Sequence, residues 1–238
     1  MTDLLASAFL ACALLACGCA GAPVARPAAS RQTAQESGGI RYLLHLPAAY
    51  ESRTDWPVIL FLHGAGERGR DLELVKREAL PRILETLPDF PFVVVSPQEE
   101  KEHRWTADGL TALLDEVGSR YRVDPARVYA TGLSSGAVAA LELAIRHPEK
   151  IAAVAAVSAS AIPDDLCAMK KVAVSILHNA GDERVPVSRA KKLARELESC
   201  GSDVELIVYP RDGHDAWTET YRRRELYEWF LRHRKARN

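Results

Sequence analysis

Residues 128–137 read Val-Tyr-Ala-Thr-Gly-Leu-Ser-Ser-Gly-Ala, and this stretch decides the fold. Its apolar start predicts a short buried strand, and the Ala-rich segment after Gly136 predicts a helix that ends before Pro148. Between them lies a G-x-S-x-G pattern, which in this context predicts a sharp strand-to-helix turn with Ser134 in strained backbone geometry. This arrangement favours Ser134 as a nucleophile. The alternative is a serine that only caps the helix.

Apolar runs alternate with amphipathic patterns along the rest of the chain. Strands that are buried on both faces read as short, unbroken apolar runs. The alternation therefore predicts an α/β fold, a doubly wound, mostly parallel sheet with helices on both faces and no large lid. The strand candidates are Arg41–Leu46, Val58–Leu62, Phe92–Ser96, Val128–Thr131, Ala153–Ser158, Val172–Leu177 and Val204–Tyr209. Besides the helix after Gly136, helices are predicted around Leu110–Tyr121, Val187–Leu197 and Leu226–Phe230.

The N-terminal segment reads as a targeting sequence rather than as part of the fold. Leu4 to Cys17 is almost wholly apolar, which predicts a signal peptide over residues 1–19. Cys17, in a Leu-Leu-Ala-Cys run, and Cys19 are candidates for lipid modification, and a plain cleaved signal is the alternative. Residues 20–38 predict a flexible tether, and residues 39–238 predict the folded domain. We therefore expect an exported protein, periplasmic or in the cell envelope.

Composition narrows the range of partners. The formal net charge is −1 over 238 residues, which gives no indication of nucleic-acid binding. Contact with a membrane is expected only through the possible N-terminal lipid anchor. Cys167 and Cys200 each come just before one of two neighbouring predicted strands, at the same end of the sheet. In an oxidising compartment this favours a disulfide, with two separate buried thiols as the alternative.

A serine hydroxyl needs a base, and the base in turn needs an orienting acid. His214 stands in a loop directly after the last predicted strand, where such a base belongs. Asp182 closes the loop after the preceding strand and is the candidate acid, although it could instead cap the next helix. Asp212 and Asp215 flank the histidine as rivals, but they are too near in sequence to reach its far nitrogen easily.

Acyl transfer also needs N–H donors for the developing oxyanion. The loop His63-Gly64-Ala65-Gly66 follows the strand Val58–Leu62, and the candidate donors are the backbone N–H groups of Ala65 and Ser135. His63 is then a structural residue. No Cys, His or Asp cluster has metal-ligand spacing, and there is no glycine-rich phosphate loop. The sequence therefore predicts neither a metal site nor a cofactor.

Several segments together resemble one known family. Residues 62–69, Leu-His-Gly-Ala-Gly-Glu-Arg-Gly, resemble the corresponding loop of the "predicted peptidase" group of α/β-hydrolases. These are relatives of polyhydroxybutyrate depolymerases, feruloyl and acetyl xylan esterases, and dienelactone-hydrolase-like enzymes. Further similar segments are Ser96-Pro97-Gln98, Arg104-Trp105, Tyr121–Asp124, Arg127–Tyr129 and Gly213–Trp217. The resemblance implies an α/β-hydrolase fold and ester hydrolysis without a metal, often on substituents of plant or algal polysaccharides.

The resemblance also has departures. Ser135 and Ala137 stand where this family usually has Met and Gly after the nucleophile. The residue directly beside Ser134 is therefore different. Trp105 and Trp217 are candidates for stacking on an aromatic or sugar group of a substrate. For both, an aromatic side chain that caps the core is the alternative.

The leading functional hypothesis is a serine carboxylic-ester hydrolase that works through an acyl-enzyme. Its expected substrates are small-molecule or carbohydrate esters, either short-chain or polysaccharide-linked acetyl and feruloyl esters. A serine peptidase that uses the same three residues is the second hypothesis. The third is a surface lipoprotein that kept the fold only as a binding scaffold.

Overall fold

The computed structural model describes residues 32–87 and 89–235. The predicted signal peptide, with Cys17 and Cys19, lies outside these residues. The described residues form one eight-stranded sheet with the order β1-β2-β4-β3-β5-β6-β7-β8. Strands β3 to β8 run parallel to one another, whereas β2 pairs antiparallel with both β1 and β4. No helix in the described ranges is long and apolar enough to span a bilayer.

Strands β2 to β8 and helices α2, α3, α4 and α6 correspond to the predicted elements, whereas β1, α1 and α5 were not predicted. The strands are β1 Gln32–Ser37, β2 Ile40–His45, β3 Trp56–Leu62, β4 Val93–Pro97, β5 Val123–Leu133, β6 Ala153–Val157, β7 Ala173–Gly181 and β8 Val204–Asp212. The helices are α1 Ala79–Leu84, α2 Ala107–Arg120, α3 Ser135–Arg146, α4 Val187–Ser199, α5 Trp217–Thr220 and α6 Arg224–Arg232.

Alternate residues of the central strands divide between two hydrophobic cores. On β3, Val58 and Leu60 face the core formed with α2, α3 and α4, whereas Ile59 and Phe61 face the core formed with α1 and α6. This alternation follows from the two-residue period of a strand. The sheet is therefore covered on both faces, as the unbroken apolar runs predict.

The first strand corrects the predicted tether. Gln32–Ser37 pairs along its whole length with Ile40–His45, so the last part of the predicted tether belongs to the folded domain. The side chains of this edge strand are mostly exposed or half-buried. Because the strand contributes backbone hydrogen bonds rather than apolar burial, the sequence shows no hydrophobic pattern there.

A disulfide joins Cys167 and Cys200. Cys167 lies in the short 3-10 turn before β7, and Cys200 follows α4 just before β8. The two cysteines therefore link the starts of two adjacent parallel strands.

Two glycines allow β5, α3 and the end of β3 to approach one another closely. A Cβ on Gly132 would lie 2.5 Å from both the Leu62 carbonyl oxygen and the Gly136 carbonyl carbon. A Cβ on Gly136 would overlap the carbonyl oxygens of Leu62 and His63. Because every blocking atom belongs to the backbone, rotation of a side chain cannot make room.

We expect Gly136→Ala to lower the free energy of unfolding by about 1–3 kcal/mol through overpacking. Gly118→Ala in α2 is the matched control, because its Cβ would meet only a Val123 methyl group at 4.0 Å. That control should keep or raise stability, by up to about 1 kcal/mol. Urea denaturation of both variants tests the difference, and equal effects would contradict this account of the close contact.

Candidate active site

The three residues predicted to act together lie at the carboxyl edge of the sheet. Ser134 follows β5, Asp182 follows β7, and His214 lies two residues beyond β8. Carboxyl ends of neighbouring parallel strands meet at one edge, which is where ligand sites form in open α/β sheets. This topology brings together side chains that are as much as 80 positions apart in the sequence.

Their side chains form a continuous hydrogen-bonded chain. His214 Nδ1 lies 2.7 Å from Asp182 Oδ2, and His214 Nε2 lies 3.0 Å from Ser134 Oγ. With the proton on Nδ1 donated to the carboxylate, Nε2 is free to accept the serine hydroxyl proton. Ser134 has φ 52° and ψ −112°, a strained conformation outside the left-handed helical region. The turn thus holds its hydroxyl toward the histidine.

The environment of Asp182 keeps it ionised. Burial opposes ionisation, but hydrogen bonds from His214 and from the Val185 N–H outweigh burial and lower the pKa of the Asp182 carboxyl. Oδ1 accepts the N–H groups of Arg184 at 3.0 Å and Val185 at 2.9 Å, which leaves Oδ2 for the imidazole. His178 Nε2 also lies 3.3 Å from Oδ2, but its hydrogen bond is to the Val185 carbonyl oxygen at 2.8 Å.

The two rival carboxylates make other contacts. Asp215 accepts from the Thr218 N–H and hydroxyl at 2.8 and 2.7 Å. The Asp212 carboxylate packs against Gly181, where a Cβ would overlap it. Asp182 is therefore the carboxylate that reaches His214.

The two predicted oxyanion donors lie on adjoining loops. Ser135 is the first residue of α3, so its N–H has no acceptor within the helix. Ala65 opens a short 3-10 turn, and the preceding Gly64 packs on the Leu133 side chain, directly before Ser134. The loop after β3 therefore borders the turn that carries the serine.

His63 is buried beneath this loop. Its Nε2 accepts the Glu99 N–H at 2.9 Å, and its Nδ1 lies 2.6 Å from the Gly64 carbonyl oxygen. Burial lowers the pKa of His63 to about 4, so the ring is neutral at physiological pH. A neutral ring that bridges two backbone groups fits the structural role predicted for this residue.

Glu99 connects the oxyanion loop to Trp105, a link that the sequence does not reveal. Its buried carboxylate pairs with Arg68 in the loop and with Arg104 at 2.8 Å, and it accepts the Trp105 N–H at 3.2 Å. The Trp105 ring packs edge-on against His63, with centroids 4.7 Å apart, and joins the core on the α2–α4 face. These contacts favour the core-capping role for Trp105 over substrate stacking.

Trp217 has a different position, beside the imidazole itself. Its ring meets His214 edge-on with centroids 5.3 Å apart, and its indole N–H donates to Glu78 at 3.2 Å. It packs against the core on the α1–α6 face of the sheet. Trp217 therefore approaches His214 from that face.

The loop that carries His214 is held by two buried polar side chains for which the sequence predicts no role. Ser158 Oγ donates to the His214 carbonyl oxygen at 2.9 Å. Asn179 Nδ2 donates to the carbonyl oxygens of Asp212 and Gly213 at 3.3 and 3.0 Å. Three consecutive carbonyl groups are thus fixed from the ends of β6 and β7. Ser158 has φ 47°, which is uncommon for a non-glycine residue.

Within residues 32–87 and 89–235, no group of three or more His, Cys, Asp or Glu side chains is arranged to hold a metal ion.

Comparison with known sequences identifies one family and one curated relative. The model of the phospholipase/carboxylesterase family matches residues 89–223, more than half of the chain, including Ser134, Asp182 and His214. The chain is 31% identical over 156 residues to NocK of Nocardia uniformis subsp. tsuyamanensis, a protein named as an esterase. That match covers 57% of this chain but only 43% of NocK.

Solved structures share the fold. A thermostable esterase superposes with a TM-score of 0.71 at 22% identity, over 85% of this chain and 62% of its own. A ferulic acid esterase superposes with a TM-score of 0.61 at 19% identity, over 84% of this chain and 97% of its own. Together with the sheet topology, these likenesses confirm the predicted α/β-hydrolase fold.

Loss of the Ser158 hydroxyl should displace the imidazole without unfolding the protein. We expect Ser158→Ala to slow labelling of Ser134 by a fluorophosphonate about ten-fold, because general-base assistance depends on the position of Nε2. Ser175→Ala is the matched control. Ser175 is also fully buried, but its hydroxyl bonds Glu205 at 2.7 Å. Equal labelling rates in both variants, measured by mass spectrometry, would exclude this role for Ser158.

Proposed function

Because the chain belongs to the phospholipase/carboxylesterase family of α/β-hydrolases, we propose that it is a serine carboxylic-ester hydrolase that forms an acyl-enzyme on Ser134. The observation that carries the proposal is the unbroken hydrogen-bonded chain from Ser134 Oγ through His214 to Asp182. A hydroxyl, a base and an orienting carboxylate in this geometry are the requirements for nucleophilic acyl transfer.

In this mechanism His214 Nε2 takes the hydroxyl proton as Ser134 Oγ attacks the ester carbonyl carbon. The N–H groups of Ala65 and Ser135 stabilise the tetrahedral oxyanion, each by about 3 kcal/mol. The C–O bond to the alcohol then breaks, and the imidazolium returns the proton to the leaving alcohol. Water, deprotonated by the same imidazole, then attacks the acyl carbon. The bond to Ser134 Oγ breaks, the imidazolium returns its proton to Oγ, and the acid is released.

The substrate class is part of the same proposal. Short-chain esters and acetyl or feruloyl esters of polysaccharides suit a site at an open sheet edge, with Ser134 and His214 both partly accessible. Only a short 3-10 turn, Leu166–Met169, interrupts the segment between β6 and β7. A bulky substrate therefore meets no long covering segment there.

Replacing the nucleophile should abolish turnover, whereas replacing its neighbour should not. We expect Ser134→Ala to lower kcat for 4-nitrophenyl acetate by about 10⁴-fold or more, and Asp182→Asn by about 10³–10⁴-fold. Ser135→Ala is the matched control, because it removes a side chain but keeps the backbone donor. Its kcat should stay within about three-fold of wild type.

Hydrolysis that survives unchanged in Ser134→Ala would overturn the assignment. The competing peptidase hypothesis is tested with an anilide and an ester that carry the same acyl group. Faster turnover of the anilide would favour the peptidase. Folded wild-type protein that neither hydrolyses esters nor reacts with a fluorophosphonate would favour the binding-scaffold hypothesis.

We also propose that the protein works outside the cytoplasm, in the periplasm or cell envelope. The support is the disulfide between Cys167 and Cys200 together with the signal-like residues 1–19. Disulfides persist in oxidising compartments and are rare in reducing ones.

Thiol labelling of the protein isolated from its native cell tests this proposal. We expect Cys167 and Cys200 to react with maleimide only after reduction. Because the disulfide spans a sequence separation of 33 residues, reduction should lower the free energy of unfolding by about 4 kcal/mol. Free thiols in freshly isolated, folded protein would contradict export to an oxidising compartment.

A further inference from the structure

The loop that carries the candidate oxyanion donor Ala65 has little regular structure of its own. It runs from His63, directly after β3, to Asp71, and it contains the short 3-10 turn Ala65–Glu67. Ala65 and Gly66 are exposed to solvent. An oxyanion donor is effective only when it is held about 2.7–3.1 Å from the position of the developing charge. Contacts from outside the loop must therefore fix the position of this N–H group.

The Gln98 side chain holds this loop at two points. Gln98 lies directly after β4 and is buried. Its Nε2 donates to the carbonyl oxygen of Glu67 at 2.9 Å and to that of Asp71 at 2.8 Å. Because both partners are carbonyl oxygens, which only accept hydrogen bonds, the amide nitrogen is the atom that faces them. One buried side chain thus bridges two separate positions of the loop.

The bridge is anchored to the sheet through the backbone. The Gln98 N–H donates to the Arg41 carbonyl oxygen of β2 at 2.9 Å. The next residue adds two contacts to the same loop, because the Glu99 N–H donates to His63 Nε2 and the Glu99 carbonyl oxygen accepts the Gly69 N–H, both at 2.9 Å. Two consecutive residues after β4 therefore hold the loop, Gln98 through its side chain and Glu99 through its backbone.

The same loop contacts the turn that carries the nucleophile. A Cβ on Gly64 would lie 2.6 Å from the Cδ1 atom of Leu133, the residue before Ser134. The loop thus has one support at Gly64 and another further along, at the Gln98 amide. Ala65 lies between these two supports in the sequence. Loss of the second support would let the Ala65 N–H move relative to Ser134 Oγ.

We propose that Gln98 is a positioning residue for the oxyanion hole, whose amide holds the loop so that the Ala65 N–H meets the oxyanion of acyl transfer. The inference rests on the ester hydrolysis proposed above. Gln98 acts through the backbone of the loop rather than on the substrate. Its loss should therefore weaken stabilisation of the oxyanion while leaving the hydrogen bond between His214 and Ser134 in place.

Replacing the ester carbonyl oxygen by sulfur gives a readout that a purely structural role would not move. Attack by Ser134 on 4-nitrophenyl acetate develops an oxyanion. Attack on 4-nitrophenyl thionoacetate develops a sulfur anion instead, and sulfur is larger and a weaker hydrogen-bond acceptor. Displacement of an oxyanion donor therefore slows the ester more than the thionoester. A smaller amount of folded enzyme, or a displaced His214, slows both substrates alike.

Two variants of the full-length protein test the proposal. Gln98→Met keeps the length of the side chain but removes both donors, and we expect it to lower kcat/KM for the ester by about 10- to 100-fold. The ratio of kcat/KM for the ester to that for the thionoester should fall by about five-fold or more. Gln98→Asn keeps a buried amide but is one methylene shorter, so it cannot reach both carbonyl oxygens. It should lower the ratio in the same direction.

Gln32→Met is the matched control. Gln32 is also buried, and its Nε2 donates to the Pro81 carbonyl oxygen at 2.9 Å. It pairs with His45, which in turn pairs with Val94 near the start of β4, so it lies at the edge of the sheet opposite Ser134. This variant loses a similar hydrogen bond far from the site, and it should keep the ratio within about two-fold of wild type because distant sites act independently.

An unchanged ratio in folded Gln98→Met or Gln98→Asn would overturn the inference, and so would an equal fall in Gln32→Met. Failure of both Gln98 variants to fold, measured by urea denaturation, would assign the residue to stability alone and overturn it as well. In each case, ester hydrolysis by wild type that disappears in Ser134→Ala leaves the enzyme assignment intact. Absence of that hydrolysis in folded wild-type protein would overturn the proposed function itself, and this inference with it.

Discussion

Close backbone contact between β5, α3 and the end of β3 is the constraint on which the rest of the structure depends. Gly132 and Gly136 let these segments meet where a Cβ would strike backbone atoms. The same contact places His63 and Gly64 next to Ser134, so it positions both the serine and the candidate oxyanion loop. It also fixes Ser134 at φ 52°, a strain that the native packing must hold in place. The geometry of the candidate nucleophile and the packing of the core therefore depend on the same contact.

The parallel sheet brings the other residues of the candidate site to the same place. Each strand from β3 to β8 ends at the same edge, and each contributes a residue there or just beyond: His63, Glu99, Ser134, Ser158, Asp182 and His214. Residues such as Ser158 and Asn179 touch no reacting atom, yet they hold three consecutive carbonyl groups of the loop that carries the imidazole. Because these buried donors come from strand ends, their hydrogen bonds fix the loop relative to the sheet beneath it.

The sequence predicts most of this arrangement, because the informative signals are local. The G-x-S-x-G turn between strand and helix identified Ser134, and position after successive strands identified Asp182 and His214 as its companions. The polar edge strand β1 escaped prediction because it buries almost no apolar surface. Ser158 escaped because a single serine after a strand has no pattern, and its role depends on a residue 56 positions away. The different positions of Trp105 and Trp217 became clear only from the side chains that surround each ring in the structure.

The two faces of the sheet differ in how their polar and charged side chains are held. On one side, His214 packs against Trp217, whose indole N–H donates to Glu78, so the imidazole is held among hydrogen bonds and ring contacts. On the other face of the sheet, the cations of α4 are exposed, and among the described residues only Lys192 has an ion-pair contact, with Glu196 at 3.5 Å. Chemistry requires fixed groups because the position of Nε2 governs proton transfer. The fixed surroundings of His214 therefore follow from where this chain buries its polar groups.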